Sequence, residues 1–228
     1  MRLLALADIH SSSRGADAIL RMVEGHRPDA LVVAGDLTSF GPAEFVRELM
    51  RRVPVPALTV PGNCDPPDVE LELSREPAVN LNLRRLELCG VAFVGLAGWQ
   101  VPPALGEWGF PPHEAARRLE GLLGEGDVLI THVPPFGHVD IVPGRPYREE
   151  KTTVLHAGCV ELARAVRRCR PALVISGHIH EARGIEEEGG TIFVNPGPAR
   201  EGFGAIIELR RGGDGARAER KDIQFIRG

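Results

Sequence analysis

The apolar positions of this chain fall in short runs, and run after run stops on a polar cluster. Residues 2–7 form such a run and stop at Asp8-Ile9-His10; serines follow, and Ile19, Leu20 and Val23 then recur at helical spacing. This predicts strand, polar loop, helix. The unit repeats as Ala30–Ala34 runs into Gly35-Asp36, a helix is predicted over Pro42–Arg52, and Ala57–Val60 runs into Pro61-Gly62-Asn63-Cys64-Asp65. Further on, Val128–Ile130 stops at Thr131-His132, a helix is predicted over 158–169, and Ala172–Ile175 stops at Ser176-Gly177-His178-Ile179-His180. Between these, Leu83–Leu88 and Val91–Leu96 flank Cys89-Gly90 as a hairpin, and Pro112–Leu123 is a helix with proline near its start. Apolar stretches at 183–185, 191–194, 204–209 and 223–226, separated by glycines, predict an antiparallel meander. Strands alternating with helices, followed by antiparallel pairs, make the class α/β with a mixed sheet. Residues 133–157 carry no period. A segment of that length leaving a polar strand exit is expected to be a lid or substrate wall, with plain disorder as the alternative.

Composition narrows the partners. With 228 residues, 43% of them hydrophobic, the chain can bury one sizeable core, so residues 1–228 are expected to form a single domain. Acidic residues outnumber basic ones by 31 to 27, a formal charge of −4, which gives no global positive field for nucleic acid or an anionic membrane. The expected partner is a small substrate. Cys64, Cys89, Cys159 and Cys169 are scattered without CxxC spacing, as free thiols in a reducing cytoplasm would be. The first apolar run meets Asp8 too early for a signal peptide, and no later run is long enough to span a membrane.

The polar clusters carry the chemistry. In α/β sheets ligands collect beyond the carboxyl ends of strands, and all five clusters sit at such ends. Together they supply Asp8, His10, Asp36, Asn63, His132, His178 and His180, imidazole and oxygen donors suited to first-row divalent cations. Packed together without a cation, two carboxylates and four imidazoles would be desolvated at a cost of several kcal/mol. Two cations remove that cost and lower the pKa of a shared water from about 15.7 toward neutrality. Each cluster alone has a plainer reading: Asp8-x-His10 as a polar turn, Gly35-Asp36 as a helix cap, Gly62-Asn63 as a turn, His132 as a hydrogen-bonded histidine. Gly177-His178-x-His180 is the stronger signal, because alternate residues at a strand end point the same way.

The motifs DxH, GD, GNCD, TH and GHxH, in this order over residues 3 to about 198, resemble the calcineurin-like metallophosphoesterase superfamily. Within it the chain is similar to small prokaryotic phosphodiesterases with GNCD and a late Asn-Pro-Gly, here Asn195-Pro196-Gly197. The resemblance implies two mixed β-sheets packed face to face and flanked by helices. It implies a first cation (Mn, Fe, Ni, Co or Zn) on Asp8, His10, Asp36 and His180, a second on Asp36, Asn63, His132 and His178, and Asp36 as the bridge. The implied reaction is hydrolysis of a small phosphate ester by in-line attack of a hydroxide bridging cations about 3.5–4 Å apart.

Asp36, Asn63, Asp65 and His156 are the catalytic candidates. Cys64 stands where the family commonly has a histidine thought to protonate the leaving oxygen. Asp65, which would orient that histidine, is therefore left either with a family role or with a structural one. His156 and His138 can supply a replacement acid or be loop histidines; Arg145 and Arg148 can meet a second phosphate or water. Trp99 and Trp108 can cover core or substrate, and His26 and His113 fit helix ends. The competing function is a non-catalytic metal-binding scaffold of the same fold.

Overall fold

The computed structural model describes residues 1–98, 112–143, 154–211 and 218–228. The chain begins with β1 (Arg2–Leu6), α1 (Ser13–His26), β2 (Ala30–Ala34), α2 (Ala43–Arg52), β3 (Ala57–Val60), α3 (Pro67–Glu72) and β4 (Ala78–Asn80). It continues with β5 (Arg85–Leu88), β6 (Val91–Leu96), α4 (Pro112–Glu120), β7 (Val128–Thr131), β8 (Ile141–Pro143), β9 (Val154–His156), α5 (Val160–Cys169) and β10 (Leu173–Ile175). Two hairpins close it, β11 (Gly184–Glu188) with β12 (Thr191–Asn195) and β13 (Phe203–Arg211) with β14 (Ala218–Arg227).

These strands form two six-stranded sheets, ordered β14-β13-β1-β2-β3-β4 and β11-β12-β10-β7-β6-β5, beside a small β8-β9 pair. Both sheets are mixed. Strands β1 to β4 run parallel with β13 antiparallel on β1, and in the second sheet β6, β7, β10 and β12 run parallel between two antiparallel edges. The period of two explains the layers. Leu3 and Ala5 on β1 join Val32, Leu58, Phe93, Ile130, Ile175 and Val194 in a core between the sheets. Leu4 and Leu6 face the other way, onto α1 and α2 through Ile19, Val46 and Leu49. On the far side Leu119, Leu162 and Val166 of α4 and α5 cover Leu129 and Val174. Because the central strands are buried on both faces, their sequences read as unbroken apolar runs. Truncating one such leucine to alanine costs about 2–5 kcal/mol.

Three expectations change. The glycine-separated tail is not one meander: its first hairpin extends the second sheet and its last extends the first, because Gly202, at a φ of 83°, turns the chain back beside β1. The connection after Asp65, rich in proline and glutamate, holds α3 and β4, both too short to show a period. The aperiodic 133–157 segment contains the β8-β9 pair, in which Ile141 faces His156, and residues 144–153 lie outside the described part.

Candidate metal centre

The carboxyl ends of β1, β2 and β3 from one sheet, and of β7 and β10 from the other, open onto a single site. All seven sequence-predicted ligands meet there. The first-sheet exits are tied rung by rung: the Asp8 amide donates to the Gly35 carbonyl and the His10 amide to the Asp36 carbonyl, both at 3.0 Å. Asp8, His10, Asp36 and His178 all hold φ between 50° and 68°, left-handed conformations that the surrounding bonds must enforce. His178 therefore departs from strand alternation, and His180 begins a short 3-10 turn, so the pair converges by a backbone kink. The two sheets are latched across the site. His132 Nδ1 donates to the Ala34 carbonyl (2.8 Å) and the His178 amide to Asp8 Oδ2 (3.0 Å). Glycine makes the approach possible: a Cβ on Gly177 would lie 2.4 Å from that of Ala7, and one on Gly35 would lie 2.4 Å from His132 Nδ1.

Asp36 stands between two groups of donors. Its Oδ2 is 3.6 Å from His10 Nε2, and its Oδ1 is 3.4 Å from His132 Nε2. On one side His10 Nε2 lies 3.3 Å from His180 Nε2, which is 3.4 Å from Asp8 Oδ1. On the other, His132 Nε2 lies 2.9 Å from Asn63 Oδ1 and 3.2 Å from His178 Nδ1. Donor atoms of Asp8, His10 and His180, and of Asp8, Asp36 and His132, lie within 4.8 Å of one another, the spacing that ligands of one ion require. The set fits divalent cations. In a neutral His132, the Nδ1 proton goes to Ala34, which leaves a lone pair on Nε2 facing the Asn63 and Asp36 oxygens with no proton to share, and a cation relieves that crowding.

The ionisation states agree. Burial, helped by His132, holds His178 down to about 4, and burial lowers His10 as well. Burial pushes Asp8 up, but its bond to His180 and the nearby imidazoles outweigh this and leave it below the ordinary carboxylate value. The same bond to Asp8 raises His180. These directions favour the ligand form at Asp8, His10 and His178.

The other candidates divide. Asp65 is buried and accepts from the amides of Leu37 (3.0 Å), Thr38 (2.7 Å) and Gly62 (2.9 Å) and from Thr38 Oγ1 (3.0 Å), fastening the Asn63 turn to the loop after Asp36. Cys64 lies inside the site, with its amide on Asp36 Oδ1 (2.8 Å) and its thiol accepting from Asn63 Nδ2 (3.3 Å). Burial and Asp36 push that thiol up to about 12. The four cysteines are free thiols. His156 pairs with buried Asp140 (2.7 Å) and leans on Phe136, so its described contacts stay beside the β8-β9 pair rather than reach the candidate ligands. His138 stacks on Phe193 at 3.9 Å between Glu186 and Glu188. His26 ends α1, and His113 lies in the first turn of α4. Trp99, Trp108, Arg145 and Arg148 lie outside the described residues.

Asn195, quoted in the sequence only as part of the Asn-Pro-Gly motif, and Asp140 and Arg200, both missed there, also contribute. Asn195 donates to the Ile179 carbonyl (2.8 Å) and accepts from the Gly197 amide, so the Asn-Pro-Gly turn sets the backbone between His178 and His180. Asp140 gathers His156, Gly137 and Gly158 beside the β8-β9 pair. Arg200 places Nη2 3.2 Å from His180 Nδ1. The Asn-Pro-Gly motif was a usable signal for the first; the other two look like ordinary loop residues.

Comparison with known proteins agrees with the geometry. Human metallophosphoesterase domain-containing protein 1 is 43% identical over 101 residues, which are 42% of this chain and 28% of that protein, so the chain matches little more than a quarter of its length. Protein MJ1162 of Methanocaldococcus jannaschii is 29% identical over 177 residues, 75% of this chain and 78% of that one. A dimetal phosphatase from Danio rerio has the same fold, with a TM-score of 0.62 at 13% identity over 100% of this chain and 98% of that chain. The calcineurin-like phosphoesterase superfamily domain matches residues 1–207, and the chain belongs to that superfamily.

Proposed function

We propose that this chain is a dinuclear-metal-dependent phosphodiesterase that hydrolyses small phosphate esters with good leaving groups. The observation that carries this is Asp36, whose two oxygens face His10 and His132, one in each donor group. A carboxylate so placed can serve two cations at once. Asp8, His10 and His180 would hold one with Asp36, and Asn63, His132 and His178 the other. When bound, such a pair supplies an acidified water for in-line attack on phosphorus and a positive clamp for the ester oxygens. The protein's own part is to hold the ligands before substrate arrives: Ala34 orients His132, Asp65 fixes the Asn63 turn, and Asn195 fixes the His178–His180 backbone. The dimetal phosphatase from Danio rerio, alike in fold, supports the count of two. The net charge of −4 and the free thiols fit a small substrate in a reducing cytoplasm. No helix among the described residues is long and apolar enough to cross a membrane.

The test is to load metal-free protein in turn with Mn, Fe, Ni, Co and Zn, count ions per chain, and assay aryl phosphodiesters, alkyl phosphomonoesters and cyclic nucleotides. Two ions per chain and turnover of aryl diesters are expected. Tight loading without hydrolysis of any ester would leave a metal-binding scaffold as the reading.

A further inference from the structure

We propose that Arg200 is a substrate-binding residue whose guanidinium takes a phosphoryl oxygen of the ester held at the metal centre. The inference rests on the phosphoesterase reading and adds a residue outside the ligand motifs. Arg200 sits in the short 3-10 turn Ala199–Glu201 that links β12 to β13. Its backbone is fixed against β1: the Ala199 amide donates to the Ala7 carbonyl (2.7 Å) and the Arg200 amide to the Asp8 carbonyl (3.1 Å). A cationic side chain is thereby hung from the backbone of a metal ligand, at the solvent side of the site. Its side chain keeps 42% of its surface exposed, and among the described residues its Nε meets the exposed Glu201 carboxylate at 3.8 Å, a weak partner.

The contact of Arg200 with His180 does not suit a loaded site. Guanidinium nitrogen can only donate, so at 3.2 Å His180 Nδ1 must offer its lone pair. His180 Nε2 faces Asp8 and His10, on the side where the cation would sit. A neutral imidazole that gives its Nε2 lone pair to a cation carries its proton on Nδ1, where it would meet the Arg200 donor head-on. Holding a cation and holding Arg200 are therefore alternatives for His180. Once Nδ1 is protonated the guanidinium needs another acceptor within reach of its tether, and a phosphoryl oxygen lying across the site is the acceptor that the proposed reaction provides. Arginine suits this task because its planar fork pairs with two oxygens of a phosphate at once.

The test uses the full chain with inorganic phosphate as probe. Metal-free protein is titrated with Mn²⁺, and the Mn²⁺-loaded protein with phosphate, for the parent, Arg200→Ala and Arg200→Lys. Arg200→Ala should bind Mn²⁺ as tightly as the parent or a few-fold tighter, since a competitor for His180 has gone. It should bind phosphate about 10- to 100-fold more weakly, the range of charge-assisted hydrogen bonds to one anion. KM for an aryl diester should rise by a similar factor with kcat less affected, and Arg200→Lys should recover part of the phosphate affinity. Phosphate affinity within twofold of the parent in Arg200→Ala overturns the proposal while leaving the phosphoesterase reading intact. A fall in Mn²⁺ affinity in that variant overturns it too, by making Arg200 a prop for His180. A parent that binds Mn²⁺ but neither phosphate nor ester overturns the function itself, and the Arg200 role with it.

Discussion

The two sheets reach the candidate metal centre with different chemistry. Exits of the first sheet bring both carboxylates, Asp8 and Asp36, with Asn63 and one imidazole; exits of the second bring three imidazoles, His132, His178 and His180. The anionic half is built by backbone: Asp8, His10 and Asp36 sit in left-handed conformations laced to one another through the loops after β1 and β2. The imidazole half is built by side chains and amides that cross to the first sheet, at Ala34 and at Asp8. Both carboxylates are thus gathered on one side and three imidazoles on the other, with left-handed backbone on each side, since His178 shares it. Neither sheet alone carries both donor groups, and Asp36 on the first sheet stands between them.

The largest effect should follow from removing that shared group. Asp36→Asn keeps an oxygen for the Cys64 amide, now at 2.8 Å, so the fold should survive, but one anionic oxygen and the bridge are lost. Turnover should fall by at least about 10⁴-fold, taking about 10²–10³ per lost electrostatic contact at each of two ions. Metal content should fall to one ion per chain or none. His132→Ala, on the imidazole side, should remove only the ion it shares with Asn63 and His178. Full occupancy with unchanged turnover in Asp36→Asn would end the bridging assignment; equal metal loss in the two variants would erase the asymmetry between the sheets.

Acid acts on both halves in the metal-free protein. His178 lies at about 4 in the folded chain against an ordinary 6.5, so above about 6.5 it is neutral in both states and stability is at its full value. As pH falls from there toward 4, the unfolded chain takes up a proton that the folded chain refuses, and stability drops by roughly 3 kcal/mol at about 1.36 kcal/mol per unit. His10, also lowered, acts in the same direction. His180, raised by Asp8, acts in the opposite one: its contribution is present below the unfolded value and is lost as pH rises through the folded one. Asp8, lowered, contributes down to its ordinary value of 3.8 and is lost only below it. With two imidazoles against one, Tm measured without metal should fall between pH 7 and pH 4.5, and His178→Asn should flatten the slope. A Tm that rises over that range would show that His180 governs the acid limb.

The same asymmetry decides what the sequence could reveal. Strand exits are legible because an apolar run must stop where the sheet stops, so Asp8, Asp36, Asn63, His132 and His178 could be placed at their strands' ends, and the resemblance supplied the two-sheet sandwich. The residues that hold those ligands were less visible. Asp65 was left open between a family role and a structural one, and its bonds to Leu37, Thr38 and Gly62 place it between two loops separated by more than twenty residues. Asn195 and Arg200 reach the site from the β12–β13 connection, whose crossing from one sheet to the other leaves no period in the sequence. The tail was misread for that reason. Asp65→Asn offers one oxygen where the carboxylate has two and turns an amide toward backbone donors, so it should loosen the Asn63 turn and lower turnover by about 10–100-fold. Cation loss in that variant should be confined to the ion held through Asn63. A variant with parental rate would make Asp65 a group of stability alone.

The smallest effect is expected within the anionic half, at Cys64. Its amide serves Asp36 and its thiol accepts from Asn63, so backbone and sulfur are engaged in positioning while the S–H stays neutral, pushed up to about 12 by burial and by Asp36. A thiol is a weak donor and a poor proton source for an alkoxide, whereas a well-placed general acid is worth about 10²–10⁴-fold and helps most when the leaving oxygen is strongly basic. Cys64→Ala should therefore leave turnover of an aryl diester within about tenfold of the parent. Cys64→His, beside Asp65, should raise turnover selectively for esters with basic leaving groups if the ring fits, and only destabilise the chain if it does not. Plotting rate against leaving-group pKa for the three proteins separates these outcomes. A steep negative slope in the parent that becomes shallow in Cys64→His is the expected result. A flat parental slope that steepens in His156→Ala would move the proton source to the wall beside Asp140, and the anionic half would then lack not only an acid of its own but the leaving-group preference that follows from lacking one.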